Sequence, residues 1–455
     1  MRSPPNANAN SPDARFASAK GHTRIRTLGM KGFRYFGLTI LTALWLGLSQ
    51  GSLWALPFGY PPDSGTPAPV PTAPSTPAHS PQRELRGVWL TNIDSAVLFS
   101  RQSVEHGLQQ LADFHFNTVY PVVWNWGYTL YPSQIAEREI GYAQGLYPDF
   151  DGIGRNEELE AAQGDRDMLQ EVITIGHQHH LTVIPWFEFG FMAPAKSPLA
   201  ERHPDWLTQK RGALPAAQFS QEGDHNRVWL NPFHPHVQRF MLELLGELAE
   251  NYDIDGIQFD DHFSLPVEFG YDPYTVSLYQ REHGGQSPPA NYSDPEWVRW
   301  RADKITDLMD LIFRTIKARR PNAVISISPN PAYFAYHYSL QDWPRWRDLG
   351  YVEELVVQVY RASLDSFRHT LRDRTLYDAN RHVPTSIGIL TGLRNAPVSA
   401  SLIHQQVQTA RSMGFQGVSF FFYESLWQVA PGETLSDRTR ALQQLFAQPQ
   451  PRAQI

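Results

Sequence analysis

The chain has 455 residues, 42% hydrophobic and 19% charged, enough for one large domain with a full core or for two smaller ones. Its formal net charge of −7 argues against a broad phosphate-binding surface, and so against a nucleic-acid partner. With no cysteine, disulfides, thiolate zinc sites and cysteine nucleophiles are excluded, while 13 Trp and 19 Tyr are a heavy load of side chains able to stack on sugar rings.

Residues 1–56 have the plan of an export signal. Arg2, Arg15, Lys20, Arg24, Arg26, Lys31 and Arg34 make a basic region, and Phe36 to Leu48 follows as a strongly apolar run. That run is short against the ~20 residues of a membrane span. The uncharged stretch from Tyr35 to Pro62 is long enough to anchor, so a cleaved signal peptide and a signal anchor both stay open. Cleavage would fall at Ser49-Gln50-Gly51 or Leu53-Trp54-Ala55. The expectation is an exported protein of the periplasm or cell surface, touching the membrane only through this segment. Residues 57–82, rich in Pro, Ala, Ser and Thr, read as an extended linker. The folded domain is expected over 83–447, with 448–455 as a tail.

From Arg86 onward, strand-like apolar runs alternate with helical ones. The predicted strands are 86–91, 117–124, 181–188, 255–260, 323–328, 354–360, 383–390 and 417–423. The helices between and after them are 104–114, 165–180, 235–250, 297–320, a short stretch near 340–349, 363–372, 399–413 and 436–447. Eight such units predict a single-domain (β/α)8 TIM barrel. An open doubly wound sheet would have fewer strands and a Gly-rich turn after the first; none follows Thr91. The connections after strands two, three and four run to about 35 to 45 residues, against the usual handful. All three lead from strand to helix, the face on which barrels build their sites.

Alternation along the fourth strand sets Ile257 and Phe259 against Gln258 and Asp260. If the apolar pair packs on the helices, Asp260 faces the barrel mouth, as do Trp186 and Glu188 on the third strand. Glu188 and Asp260 then share one rim. Two carboxylates so placed suit glycosidic bond hydrolysis, one protonating the leaving oxygen and the other attacking the anomeric carbon or activating water. Asp261 and Glu424, at the ends of strands four and eight, are the reserve acids. Asp253 and Asp255 precede the fourth strand and read as turn acids. Candidate sugar contacts at the strand ends and long loops are Trp89, Asn92, Trp124, Asn125, Trp186, Asn231, His262, Asn330, Tyr360 and Arg361. Asp260-Asp261-His262 also has the composition of a divalent-metal site of a polysaccharide deacetylase. The further histidines such a site needs, His177, His179 and His180, fall on the opposite face, so no metal or cofactor is expected.

Arg86-Gly87-Val88-Trp89-Leu90, Asn117-Thr118-Val119-Tyr120, Tyr131-Pro132-Ser133, His203-Pro204-Asp205-Trp206, Leu230-Asn231-Pro232 and the run Tyr252 to Phe263 occur in the order seen in glycosyl hydrolase-like family 10, which the chain resembles from about Arg86 to Trp427. The resemblance implies a barrel hydrolase related to α-amylase-like enzymes, exported by a bacterium, with a cell-wall glycan such as peptidoglycan as substrate. In those relatives the fourth strand ends Arg-x-Asp, the Asp being the nucleophile; here the run is Gln258-Phe259-Asp260. Their acid Glu ends strand five, where this chain has Ser328-Pro329-Asn330. The reading that follows is a glycoside hydrolase with Asp260 as nucleophile or base and Glu188 as acid. The alternatives are a metal-dependent deacetylase and a catalytically silent glycan-binding barrel.

Overall fold

The computed structural model describes residues 83–149, 154–212, 219–222 and 225–452; the export segment and linker expected within 1–82 lie outside the described residues. Among the described residues, no helix is long and apolar enough to cross a membrane. Eight parallel strands form the wall: β1 (Leu85–Leu90), β2 (Thr118–Asn125), β3 (Thr182–Val183, then Trp186–Phe187), β4 (Gly256–Asp260), β5 (Val324–Ser328), β6 (Glu354–Gln358), β7 (Thr385–Leu390) and β8 (Gly417–Phe421). Each pairs with its sequence neighbour, and β1 pairs with β8 as well as β2, so the barrel closes. The TIM barrel expected from the repeating pattern is the fold.

The outer ring is α1 (Arg101–Asp113), α2 (Met168–Gln178), α3 (Pro235–Asn251), α4 (Pro295–Arg319), α5 (Trp343–Asp348), α6 (Leu364–Leu371), α7 (Ala400–Ser412) and α8 (Leu435–Leu445). In α3, Pro235 fits the first turn, where a missing N–H costs nothing. Val237, Phe240, Met241, Leu244, Leu245 and Leu248 then recur at helical spacing and are all buried. Asp294 caps the long α4 by accepting from the N–H groups of Glu296 and Trp297.

Two departures from the predicted elements have local causes. β3 is two short pieces because Pro185 has no N–H to give the ladder; its carbonyl still accepts from Gln258, and the register against β2 slips between Val122 and Trp124. The helix expected near 340–349 is α5 alone, preceded by a separate helix, Ala332–Ser339, that ends on Leu340 at φ 53.

The long loops after β2, β3 and β4 all rise from one rim. In the third, Met192–Pro194, Ser220–Glu222 and His225–Trp229 make a small antiparallel sheet. The opposite rim is the barrel floor. There His177 Nε2 meets Asp255 Oδ2 at 2.9 Å and Arg320 pairs with Asp253, which accounts for both turn acids.

The floor is sealed by the last described residues, 448–452. The Glu84 N–H donates to the Pro451 carbonyl at 3.0 Å, Arg86 Nη1 to that of Gln448 at 2.6 Å, and Asn117 Nδ2 to that of Gln450 at 3.1 Å. Arg452 then enters the barrel, pairing with Glu354, a residue 1% exposed that also accepts from the Tyr120 hydroxyl at 3.0 Å. Residues 448–452, expected as a tail, are thus part of the domain. Removing the cation would leave Glu354 buried and uncompensated. Arg452→Ala is expected to cost about 3 kcal/mol in urea unfolding; a change within about 0.5 kcal/mol, the range of an ordinary surface substitution, would show that the plug is not structural.

Candidate active site

The acids stand at two neighbouring strand ends. Register pairs Gln258 with Trp186 and Phe259 with Phe187, so the residues that follow, Asp260 and Glu188, reach the rim at the same level. Each is only 4% exposed. Beyond them the two chains are stitched together. The Phe191 N–H donates to the His262 carbonyl at 3.1 Å, and His262 Nδ1 lies 3.1 Å from the Glu188 carbonyl. A carbonyl only accepts, so Nδ1 carries the hydrogen. Gly190, at φ +48, lies between the two chains; a Cβ there would sit 2.1 Å from the His262 carbonyl oxygen, so only glycine fits.

Asp260 is held at Oδ1 by the Asp261 N–H at 2.7 Å and by Gln358 Nε2 at 2.5 Å. Both donors favour the carboxylate. Burial, and then the charges of Asp261 and Glu188, outweigh them and push the Asp260 carboxyl well above the ordinary 3.8. Asp260 thus holds its proton to higher pH than an ordinary carboxyl and lies close to other carboxyls. Tyr360 is pushed well above 10, first by burial and then by the charges of Asp260, Asp261 and Glu188, so its phenol stays neutral.

Glu188 is held differently. Asn125 Nδ2 donates to its Oε2 at 2.9 Å and also contacts Asn92 Oδ1 at 2.9 Å, while Asn92 Nδ2 donates to the Leu146 carbonyl at 3.0 Å. Two of the asparagines singled out in the sequence thus form an amide chain that orients the carboxylate. Asp261 is partly exposed, and its Oδ2 accepts from Asn330 Nδ2 at 2.7 Å. The His262 ring lies between those of Phe189 and Trp229, 6.2 Å from each.

The remaining predicted contacts sit away from this group. Trp89 and Trp186 fill the barrel, 6.3 Å apart and 1% and 2% exposed, with Trp89 Nε1 donating to Gln258 Oε1 at 2.7 Å. Gln258, where an arginine was expected, passes this bond on to Ser326 Oγ at 2.9 Å. Trp124 lies outside the wall, edge-on to Phe240 of α3. Asn231 Nδ2 donates to Asp272 and Thr275, clasping the third loop to the fourth. Arg361 folds back onto the Tyr360 carbonyl and Thr370. Glu424 takes the N–H groups of Ala96 and Val97 at 2.8 and 3.2 Å and braces the loop after β1; burial raises its pKa as well.

Several site residues were not anticipated. Gln358 is the direct partner of Asp260, and alternation along β6 sets it on the face of Tyr360, a signal present in the sequence. Gln341 donates to the Asp260 and Phe263 carbonyls at 3.0 and 3.2 Å. Arg227, buried, lies 4.8 Å from the Trp126 ring and 5.3 Å from that of Phe189. These last depend on contacts between distant segments that no local pattern announces.

Asp260, Asp261 and His262 place one ligand atom each within 4.8 Å of one another, as do Asp205 of the loop after β3 and His234 and His236 at the start of α3. In the first group, Gln358 and the Asp261 N–H engage Asp260 Oδ1 and Asn330 engages Asp261 Oδ2, while the hydrogen on His262 Nδ1 leaves Nε2 as the ligand atom of that ring.

A model of the family described as glycosyl hydrolase-like 10 matches residues 84–410. Glycosyl hydrolase DigH of Escherichia coli is 23% identical over 336 residues, 66% of this chain and 71% of that protein. Glycosyl hydrolase YngK of Bacillus subtilis is 28% identical over 130 residues, 29% of this chain and 21% of that protein. Among solved structures, the PgaB (BpsB) glycoside hydrolase domain from Bordetella bronchiseptica superposes with a TM-score of 0.54 at 13% identity, covering 75% of this chain and 94% of that one. The catalytic domain of β-amylase from Paenibacillus polymyxa does so at 0.52 and 11%, covering 81% and 99%. At such identities the structures speak for the fold alone.

Two outcomes follow from this geometry. Gly190→Ala is expected to lose about 3 kcal/mol in urea unfolding, because the backbone must open or strain; wild-type stability would mean that the two strand ends can part freely. The second concerns pH. Above the unfolded value near 3.8, and up to its raised folded value, Asp260 holds a proton in the folded state that the unfolded chain has released. Ionisation therefore works against folding as pH rises through that window. Asp260→Asn should melt near the wild-type temperature at pH 4 and above it at pH 8; an equal or lower melting temperature at pH 8 would contradict the burial argument.

Proposed function

The chain belongs to the glycosyl hydrolase-like 10 family, and from that premise we propose that it is an exported glycoside hydrolase cleaving a bacterial glycan, with peptidoglycan the first candidate. The observation that carries the reading is the unequal pair at the rim: Asp260, buried and with its carboxyl pushed well above the ordinary range, on the strand beside Glu188, which accepts from Asn125. Glycosidic cleavage needs such inequality, one carboxyl with a proton to give and one with electrons.

The environments favour roles opposite to those expected from sequence. Asp260 protonates the leaving glycosidic oxygen, and its new charge is caught by Gln358 Nε2 and the Asp261 N–H, both already in place. Glu188 attacks the anomeric carbon or draws the proton from an attacking water. The Tyr360 hydroxyl, kept neutral, can donate to whichever carboxylate is charged at each stage. Export is part of the proposal and rests on the basic-then-apolar plan of residues 1–56. The deacetylase alternative draws no support from the family or from the proteins the chain is similar to.

Incubation with purified peptidoglycan sacculi is expected to release new reducing ends, read by mass spectrometry. Asp260→Asn and Glu188→Gln are each expected to lower kcat about 10² to 10⁴-fold. Because Asp260 must be protonated to act, kcat/KM should fall as pH rises through its elevated pKa. Undiminished turnover in both variants would sink the mechanism.

A further inference from the structure

The helix Ala332–Ser339 is built inside out. Ala332 and Ala335, its small residues, are the buried ones, at 8% and 1% exposure. Its large rings face solvent: Tyr333 is 62% exposed and Tyr338 41%, with Phe334 half-buried. Positions 333, 334, 337 and 338 share one helical face. On it the rings pair one turn apart, Tyr333 with His337 at 4.5 Å and Phe334 with Tyr338 at 5.1 Å, the second pair stacked at 23°. A folding helix gains by burying such rings; here Tyr336 packs against the core beside the two alanines, while Tyr333 and Tyr338 are left outside.

The helix is fixed to the acids at both ends. Two residues before it, Asn330 holds the Asp261 carboxylate; two residues after it, Gln341 donates to the Asp260 carbonyl at 3.0 Å. Along its side, the N–H groups of Leu265 and Val267 from the loop after β4 donate to the Ser339 and Tyr338 carbonyls at 3.0 and 2.9 Å. Eight residues of helix span about 12 Å. The aromatic face therefore stands within a few sugar residues of Asp260, on the rim where the loops rise, and cannot move independently of it.

We propose that Tyr333, Phe334, His337 and Tyr338 form a stacking platform that binds sugar rings of a polymeric glycan outside the cleavage point, making this protein selective for chains over short fragments. Exposed rings bind the apolar face of a pyranose while hydroxyls on both partners stay solvated, so a sugar polymer suits the platform better than an apolar partner would. The proposal rests on the glycoside hydrolase reading for its ligand class, and its test is separable from that reading.

The full chain carrying Asp260→Asn, which binds without turning over, is sedimented with purified sacculi and with chitin. Adding Tyr333→Ala and Tyr338→Ala is expected to weaken binding to the polymer about tenfold. Leu311→Ala, which removes an exposed apolar side chain from α4, should bind as the parent does. Unchanged binding in the double tyrosine variant, with its melting temperature unaltered, would overturn the platform, as would failure of the parent to sediment with either polymer. Release of reducing ends by the wild-type chain decides the hydrolase reading separately, so either conclusion can fall while the other stands.

Discussion

The site depends on one close approach of two backbones. Where β3 and β4 leave the barrel, Gly190 lies against the His262 peptide with no room for a side chain, and hydrogen bonds run both ways across the contact. Strand pairing alone would bring Glu188 and Asp260 to one level. The contact beyond them stops the loops from splaying and leaves both acids buried side by side. The raised pKa of Asp260 follows from that burial and from the neighbouring charges.

Holding two acids out of water is unfavourable, and the surrounding residues show how the cost is contained. Neutral amides surround the carboxyls: Gln358 at Asp260, Asn125 at Glu188 with Asn92 behind it, and Asn330 at Asp261. An amide side chain can donate to a carboxylate without being a cation, so it orients an acid without pinning it in the ionised form. Gln258 fits the same pattern. It is tied to Trp89 and Ser326 beneath the acids, and adds no charge that would hold Asp260 ionised.

Much of the fold was legible because a strand buried on both faces is a near-continuous apolar run, and eight such runs spaced by helical patterns allow few arrangements. The pairing of Glu188 with Asp260 was legible from alternation and neighbour order. The aromatic residues were not. Trp89, Trp124 and Trp186 fill the core while Tyr333 and Tyr338 face solvent, yet the same residue types serve both purposes, and only the packed structure separates them. The helix bearing those tyrosines was missed for the same reason, since its apolar residues do not make an inward stripe. Some of the residues that hold the site were beyond reach too, since Gln341, which donates to the Asp260 and Phe263 carbonyls, lies far away in sequence.

The hydrogen bond from Glu84 to Pro451 brings the first and last strands of chain in the domain together at the floor. Glu84 and Pro451, which meet there, lie on the side opposite the acids. A tether at either end would hold the barrel by its base with the mouth turned outward. A rigid, insoluble lattice too large to diffuse would then meet the open rim first.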